Sequence, residues 1–390
     1  MINKTLFENT ETAFALKSDS ELERAYFLFK MISVQPLVRI GTAATNFALK
    51  AKLPVEALIR STVFDHFCGG VNEEDCLPVI DKLFTHKVSS VLDYSVEGKE
   101  SEEQFDGALE KILKIIQFCD DREAMPIVVF KPTGFGRFYL YQKKTEGLEF
   151  TKEEQNEWNR VVARFDAVCK LAEEKEVEVL IDGEESWMQD AADDLVEDMM
   201  SLYNKKKTIV YNTLQTYRWD RLDYLKGLHN RANKDGFTIG MKIVRGAYME
   251  KERKRADERD YKSPICETKA ITDDNFNTTL KYILENNKTI SVFIGTHNEA
   301  SSYLAMGLMN DLGISRNNNN IWFGQLYGMS DHISFNLASE GYNVAKYIPF
   351  GPVKDVMPYL IRRAEENTSV AGQTNRELVL LKSEKKRRRM

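Results

Sequence analysis

The first feature along this chain is a change in hydrophobic rhythm near residue 86. Before it, apolar residues recur at helical spacing. Ser18 and Glu21 have the spacing of a capping box ahead of Leu22, Tyr26, Phe27, Phe29 and Met31. Helices are predicted over Ala43–Leu53 and Val55–Phe67, broken at Cys68-Gly69-Gly70, and again after Asn72 as far as Leu83. After it, short apolar runs alternate with longer amphipathic stretches. The runs are Val88–Asp93, Pro126–Phe130, Val177–Ile181, Thr208–Tyr211, Thr238–Val244, Ile290–Ile294, Asn320–Phe323 and Val344–Ile348. Runs apolar on both faces read as parallel strands buried on both sides.

Eight consecutive strand-then-helix units predict an α/β protein, a (β/α)₈ barrel. An open doubly wound sheet has the same alternation and is the alternative. The expected organisation is a helical arm over 1–85, a barrel over 86–372 and a basic tail over 373–390. A charged insertion spans Glu250–Ser263, and its block Glu250–Arg259 reads as a short solvated helix or lid. Lys382 to Arg389 reads as a solvated, disordered end, or more weakly as an anchor to anionic lipid.

Composition narrows the function classes. Hydrophobic residues make up 43% and charged residues 29%, as in an ordinary globular protein. A net charge of −6 argues against nucleic acid as the main partner. Five scattered cysteines without a C-x-x-C suit reduced thiols, and five histidines without ligand spacing predict no metal. The N-terminus has neither an apolar signal core nor the basic character of a transit peptide, so a cytoplasmic protein is expected.

Barrel enzymes place their chemistry at the C-terminal ends of strands. Those ends here carry Asp93, Lys131, Asp182, Gln215, Lys242 with Arg245, Thr296-His297, Gln325 and Tyr347. This set lacks a serine or cysteine nucleophile paired with a base, and it lacks a carboxylate cluster for a metal. It offers guanidinium, amide and hydroxyl donors, with glycines that allow close backbone approach. That suits a large anionic cofactor and a small carboxylate substrate. Past the last strand, Tyr359, Arg362, Arg363 and Glu366 share one helix face, and two adjacent guanidiniums suit a carboxylate or phosphate. A Schiff-base aldolase or lyase using Lys131 or Lys242 remains open on the same barrel, as does a binding or scaffold protein.

Three motifs, in order, carry a resemblance: Val244 to Tyr248, Thr296 to Asn298, and Tyr-Leu-x-Arg-Arg-x-x-Glu-Asn from Tyr359 to Asn367. Over most of residues 60–370 the chain resembles the flavin-dependent proline dehydrogenases. The resemblance implies oxidation of L-proline to Δ1-pyrroline-5-carboxylate by hydride transfer to FAD N5, with a quinone-type acceptor and possible contact with the inner face of a membrane.

The resemblance also implies residue roles. Arg362 and Arg363 would hold the proline carboxylate, assisted by Lys131, with Asp182 orienting that lysine and Glu366 bracing the arginines. Tyr347 and Leu326 would flank the ring, and Tyr359 would join the substrate set. Lys242 and Gln215 would lie near the flavin N5 region, and Asp182 and Lys242 would be the catalytic residues. Arg245, Gly246, Ala247 and Tyr248 would meet the flavin phosphates and ribityl chain. Gly183, Thr296, His297 and Gln325 would complete the FAD contacts. Position 242 is lysine where bifunctional members of the family carry arginine. The length suggests a monofunctional member. A tyrosine at 347 implies proline over hydroxyproline, since relatives preferring hydroxyproline have a small residue there; a hydroxyproline dehydrogenase is the alternative within the family.

Overall fold

A computed structural model describes residues 4–34, 59–94, 98, 100–369 and 373–390, with 36, 38, 41 and 43 in isolation; the side chains of 61, 364–369 and 373 are not among the described ones. The predicted helix over Ala43–Leu53 and the first residues of the one over Val55–Phe67 therefore lie outside the described residues.

The eight predicted strands are present, and they form a closed parallel barrel in sequence order. They are β1 Val88–Tyr94, β2 Ile127–Phe130, β3 Glu178–Ile181, β4 Val210–Gln215, β5 Ile239–Val244, β6 Ile290–Gly295, β7 Ile321–Leu326 and β8 Val344–Phe350. The open doubly wound alternative is thereby set aside. The helices are α1 Thr10–Ala13, α2 Asp19–Ile32, α3 Glu73–Phe84, α4 Glu102–Cys119, α5 Phe138–Thr145, α6 Lys152–Lys175, α7 Ser186–Tyr203, α8 Arg221–Asp235, α9 Met249–Arg259, α10 Lys269–Glu285, α11 Glu299–Asp311, α12 Asp331–Ser339, α13 Val353–Ser369 and α14 Gln373–Arg388.

Local chemistry explains the boundaries. The predicted Ser18/Glu21 capping box forms, and Ser101/Gln104 and Thr151/Glu154 repeat it on α4 and α6. Asn72 caps α3 by accepting the Asp75 N–H at 2.8 Å. The fourth strand begins two residues later than its apolar run. The Asn204 carboxamide takes the amides of Ile209 and Val210 at 2.9 and 2.8 Å, which closes the strand start. Helix α7 opens at Ser186, and its polar first turns are buried. Gln189 Nε2 donates to Asp193 at 2.8 Å, and Asn212 donates to the same carboxylate at 2.9 Å.

Contacts divide the chain into two compact units. The first comprises residues 1–97 and 325–390, the second residues 98–324. Within the first, β1 and β8 pair in register from Val88↔Val344 to Tyr94↔Phe350. The apolar face of α13 (Val353, Val356, Met357, Leu360) packs with Phe64, Phe67 and Ile32 of the N-terminal arm. A second cluster joins Phe14, Leu22 and Phe29 to Leu380 and Leu381 of α14. Within the second unit, β2 to β6 pair successively, and the Ile321–Gly324 part of β7 pairs with β6.

Two expectations need correction. The basic end is a packed helix, not a disordered one. Its cations meet the acidic N-terminal segment, Lys385 with Glu23 at 2.6 Å, Arg387 with Glu11 at 3.3 Å and Arg388 with Asp19 at 3.0 Å. Opposite charge at the two chain ends, with Leu380 and Leu381 buried between them, overrides the tendency of a charge run to stay solvated. The charged insertion is likewise only partly solvated. Glu252 on α9 is fully buried and accepts both the N–H and the hydroxyl of Ser186, each at 2.6 Å.

Candidate active site

In the unit of residues 98–324, the predicted residues follow strand ends that are tied to one another. Lys131 follows β2 and precedes a short turn, Pro132–Gly134. Thr133 in that turn donates its N–H and hydroxyl to the Glu184 carboxylate at 3.0 and 2.8 Å, joining the loops after β2 and β3. Burial pushes the Glu184 carboxyl up to about 7, against the opposing pull of Lys131 and the Thr133 bonds. Asp182, the first residue past β3, accepts a hydrogen bond from the ammonium of Lys242 on β5. Lys242 is only 6% exposed, so this pair holds a buried charge. The sequence paired Asp182 with Lys131; the structure adds the Lys242 partnership.

Gln215 ends β4 and bridges its neighbours. Its Nε2 donates to the Glu184 carbonyl at 2.6 Å, and its Oε1 accepts the Ala247 N–H at 3.3 Å. Gly183 lies so close that an added Cβ would stand 3.2 Å from Gln215 Nε2. Arg245, just past β5, is locked on three sides. Its Nε donates to Asp273 at 2.6 Å, and its terminal nitrogens donate to the Thr296 and Ser301 hydroxyls, each at 3.0 Å. Its guanidinium lies 4.5 Å from the Phe276 ring centre. Gly246 follows with φ of +133°, and a Cβ there would meet the Tyr217 ring at 2.5 Å, so only glycine fits. Gly246 and Ala247 are exposed, while Tyr248 caps α9. Thr296 is buried after β6, His297 is half-buried, and Asn298 caps α11 through the Ser301 N–H at 3.0 Å.

The unit of residues 1–97 and 325–390 holds the other predicted residues. Gln325 is buried in β7 and accepts the Ser334 hydroxyl at 2.7 Å. Leu326 ends that strand, half-buried against the cluster that contains Met329 and Tyr359. Tyr347 lies in β8 opposite Val91, and its carbonyl accepts the Tyr327 N–H at 2.8 Å. Tyr359, Arg362 and Arg363 lie on α13, and the Arg363 guanidinium stands 5.2 Å from the Tyr359 ring centre, as a shared helix face requires. The side chain of Glu366 lies outside the described ones.

Sequence reasoning missed the residues that hold this set in place: Asp273 and Ser301 on Arg245, Thr133 on Glu184, and Lys242 as partner of Asp182. The Asp-Gly-Glu-Glu run after β3 was a visible signal for Glu184. Asp273 sits near the start of α10 and gave none.

The residues around Arg245 fit a phosphate-bearing flavin nucleotide. A fixed guanidinium, the Thr296 hydroxyl, the exposed backbone at Gly246 and the N-terminus of α11 supply polar groups, and the glycine leaves room for close approach. A closed (β/α)₈ barrel with an ion-paired lysine, a bridging glutamine and this cradle at its strand ends has the frame of a barrel enzyme.

Comparison with known proteins agrees. Residues 76–376 match the family model "Proline dehydrogenase". The carbapenem antibiotics biosynthesis protein CarD of Pectobacterium carotovorum is 36% identical over 90% of this chain and 91% of its own length. Mitochondrial proline dehydrogenase 2 of Arabidopsis thaliana is 31% identical over 97% of this chain and 89% of its own. Proline utilization A from Bdellovibrio bacteriovorus, solved after inactivation by N-propargylglycine, superposes with a TM-score of 0.73 at 22% identity. That likeness concerns the fold, covering 92% of this chain and 38% of the longer one. The chain belongs to the proline dehydrogenase family, and the expected enzyme class, a proline dehydrogenase, holds. Among the described residues no helix is long and apolar enough to cross a membrane.

Proposed function

We propose that this chain oxidises L-proline to Δ1-pyrroline-5-carboxylate with FAD as resident cofactor, passing the electrons to a quinone-type acceptor on the cytoplasmic side. The observation that carries the flavin assignment is the cradle around Arg245. Arg245, Gly246, Ala247 and Tyr248 would hold the phosphates and ribityl chain, with Thr296, His297, Gln325, Gly183 and Gln215 as further contacts. FAD, when bound, supplies a hydride acceptor at N5. The chain's own residues supply position and charge. Lys242, fixed by Asp182, serves the flavin's reactive region. Arg362 and Arg363 clamp the substrate carboxylate with help from Lys131, and Glu366 braces them. Leu326, Tyr347 and Tyr359 shape the ring site. The cationic groups favour loss of the amine proton, which leaves the nitrogen lone pair free to assist C–H cleavage.

Three of the six cations in the basic run at 382–389, Lys385, Arg387 and Arg388, pair with carboxylates of the same unit, which leaves less charge for an anionic lipid surface. Tyr347 is read as selecting proline over hydroxyproline, since a hydroxyl buried against it without a partner costs about 1–3 kcal/mol.

The test is the absorption spectrum of the purified protein. Flavin bands that bleach on anaerobic addition of proline are expected; a colourless protein, or one that borohydride traps covalently with substrate, would refute the reading. Tyr347→Ser should narrow the ratio of kcat/KM for proline and hydroxyproline, and an unchanged ratio would remove Tyr347 as selector.

A further inference from the structure

The loop from Leu326 to Asp331 is held by a buried ionic cluster that the proposed chemistry does not use. Asp331 opens α12 and stands between two ammonium groups, Lys346 at 2.9 Å and Lys17 at 3.1 Å. Lys346 is fully buried in β8, immediately before Tyr347, and also donates to the Met329 carbonyl at 2.5 Å and the Leu326 carbonyl at 3.4 Å. One ammonium therefore touches the backbone of Leu326 and adjoins Tyr347.

The loop itself is strained. Gly328 has φ of +79°, and a Cβ there would meet the His66 carbonyl at 2.3 Å. Ser330 has φ of +51°, an unfavourable region for a residue with a side chain. What holds Ser330 there is Glu377, a buried carboxylate on α14 that accepts its N–H at 2.6 Å. The His66 ring bonds the Gly328 carbonyl at 3.0 Å. Three of these anchors come from the chain's two terminal segments. Lys17 lies between α1 and α2, His66 belongs to the N-terminal arm, and Glu377 belongs to the C-terminal helix.

We propose that Lys17 and Glu377 are positioning residues of proline oxidation: through Asp331, Lys346 and Ser330, the two terminal segments set the conformation of the strand ends that carry Leu326 and Tyr347. This rests on the reading that those two side chains flank the substrate ring. Neither Lys17 nor Glu377 is itself assigned a substrate contact. A cluster that merely stabilised the fold could sit anywhere in the unit; this one bonds the Leu326 backbone and borders Tyr347, and it holds a loop that would otherwise relax.

The experiment compares Lys17→Met, Glu377→Gln and the conservative Lys17→Arg on flavin-loaded enzyme with an artificial electron acceptor. Lys17→Met leaves the Asp331–Lys346 pair intact, and folded protein is expected; should it not fold, Glu377→Gln decides alone. The expected result is a rise in KM for proline of roughly five- to tenfold with kcat changed about twofold or less, and recovery in Lys17→Arg. Hydrogen exchange at the Tyr327 and Ser330 amides should accelerate in the same variants. Unchanged exchange overturns the proposal. Faster exchange or a lower Tm with unchanged KM also overturns it, because the cluster is then only structural. Tyr347→Ser is measured alongside. If it moves KM or the proline-to-hydroxyproline ratio and the cluster variants do not, the cluster proposal fails alone. If none of them moves either quantity, the ring-contact reading has failed and the proposal with it.

Discussion

Replacing Asp182 with asparagine tests whether the buried pair at β3 and β5 is what fixes Lys242. The substitution keeps shape and removes the charge that faces an ammonium only 6% exposed. Losing one partner of a fully buried pair costs about 3–5 kcal/mol, most of it the penalty of an uncompensated charge. The Asp182 side chain is 17% exposed, so water recovers part of that, and about 2–3 kcal/mol is expected. Lys242→Met should cost less, about 1 kcal/mol, because the remaining carboxylate sits on the more exposed side. The double variant should then be more stable than Asp182→Asn alone, which gives a coupling of about 1–2 kcal/mol in a double-mutant cycle. Thermal unfolding of flavin-loaded protein provides the stability arm. The rate of proline-dependent flavin bleaching provides the other, and Asp182→Asn should slow it on the order of tenfold to a hundredfold by releasing Lys242 from its position. Additive stabilities within about 0.5 kcal/mol, together with a normal bleaching rate, would show that the pair neither holds nor positions Lys242.

Three further outcomes are expected. Arg362→Lys or Arg363→Lys should raise KM for proline by the equivalent of about 2–4 kcal/mol while flavin content survives, since lysine lacks the planar fork; near-normal KM in both variants would remove the carboxylate clamp. Burial raises the Glu178 carboxyl from 4.5 to about 7, so the folded state holds a proton that the unfolded state has lost, and stability falls as pH rises from about 4.5 through about 7. Glu178→Gln should flatten that fall by up to about 3 kcal/mol at pH 8, read from Tm against pH, and an unchanged slope would refute the assignment. Arg388→Gln should lower stability by about 1–3 kcal/mol, because its guanidinium donates to the Phe14 and Lys17 carbonyls at 2.8 and 2.7 Å; a variant with wild-type Tm would return the C-terminal helix to the status of a loose end.

What could be read from the chain, and what could not, follows from the range of the interactions. Strands of a parallel barrel are buried on both faces, so they stand out as apolar runs. The polar residue that follows each run marks the strand end where chemistry is expected. Asp182, Gln215, Lys242 and Arg245 were therefore visible as candidates. Their partners were not, because the pairs join distant positions: Lys242 bonds a carboxylate 60 residues away, and Arg245 one 28 residues away. The start of β4 was misplaced for the same reason, since a carboxamide outside the strand decides it. The basic end was misread because its partners lie at the other end of the chain. A run such as Lys385 to Arg389 carries no local sign that Glu11, Asp19 and Glu23 will face it. The family motifs compensated for part of this, because they identify residues by pattern and need no knowledge of partners.

The electrostatics of the Arg245 cradle bear on how an anionic cofactor would be held. A guanidinium at a strand end is usually taken as a positive charge awaiting a phosphate. Here the charge is already balanced by Asp273, whose carboxyl is held below its usual range, against desolvation, by Lys269 and Arg245. The Asp273 pair fixes the guanidinium plane, and the Thr296 and Ser301 hydroxyls fix its remaining edges, so little side-chain freedom is left to lose on binding. Under the proposed flavin assignment, the cradle contributes through pre-set donor geometry more than through net charge. The exposed backbone at Gly246 adds polar groups that carry no charge at all. The same logic runs along the neighbouring strand ends, where Lys242 is neutralised by Asp182 and Gln215 is spent bridging Glu184 and Ala247. Lys242 and Arg245 thus each face a carboxylate before any ligand arrives, which lets the barrel hold them beside its core without the cost of isolated charges.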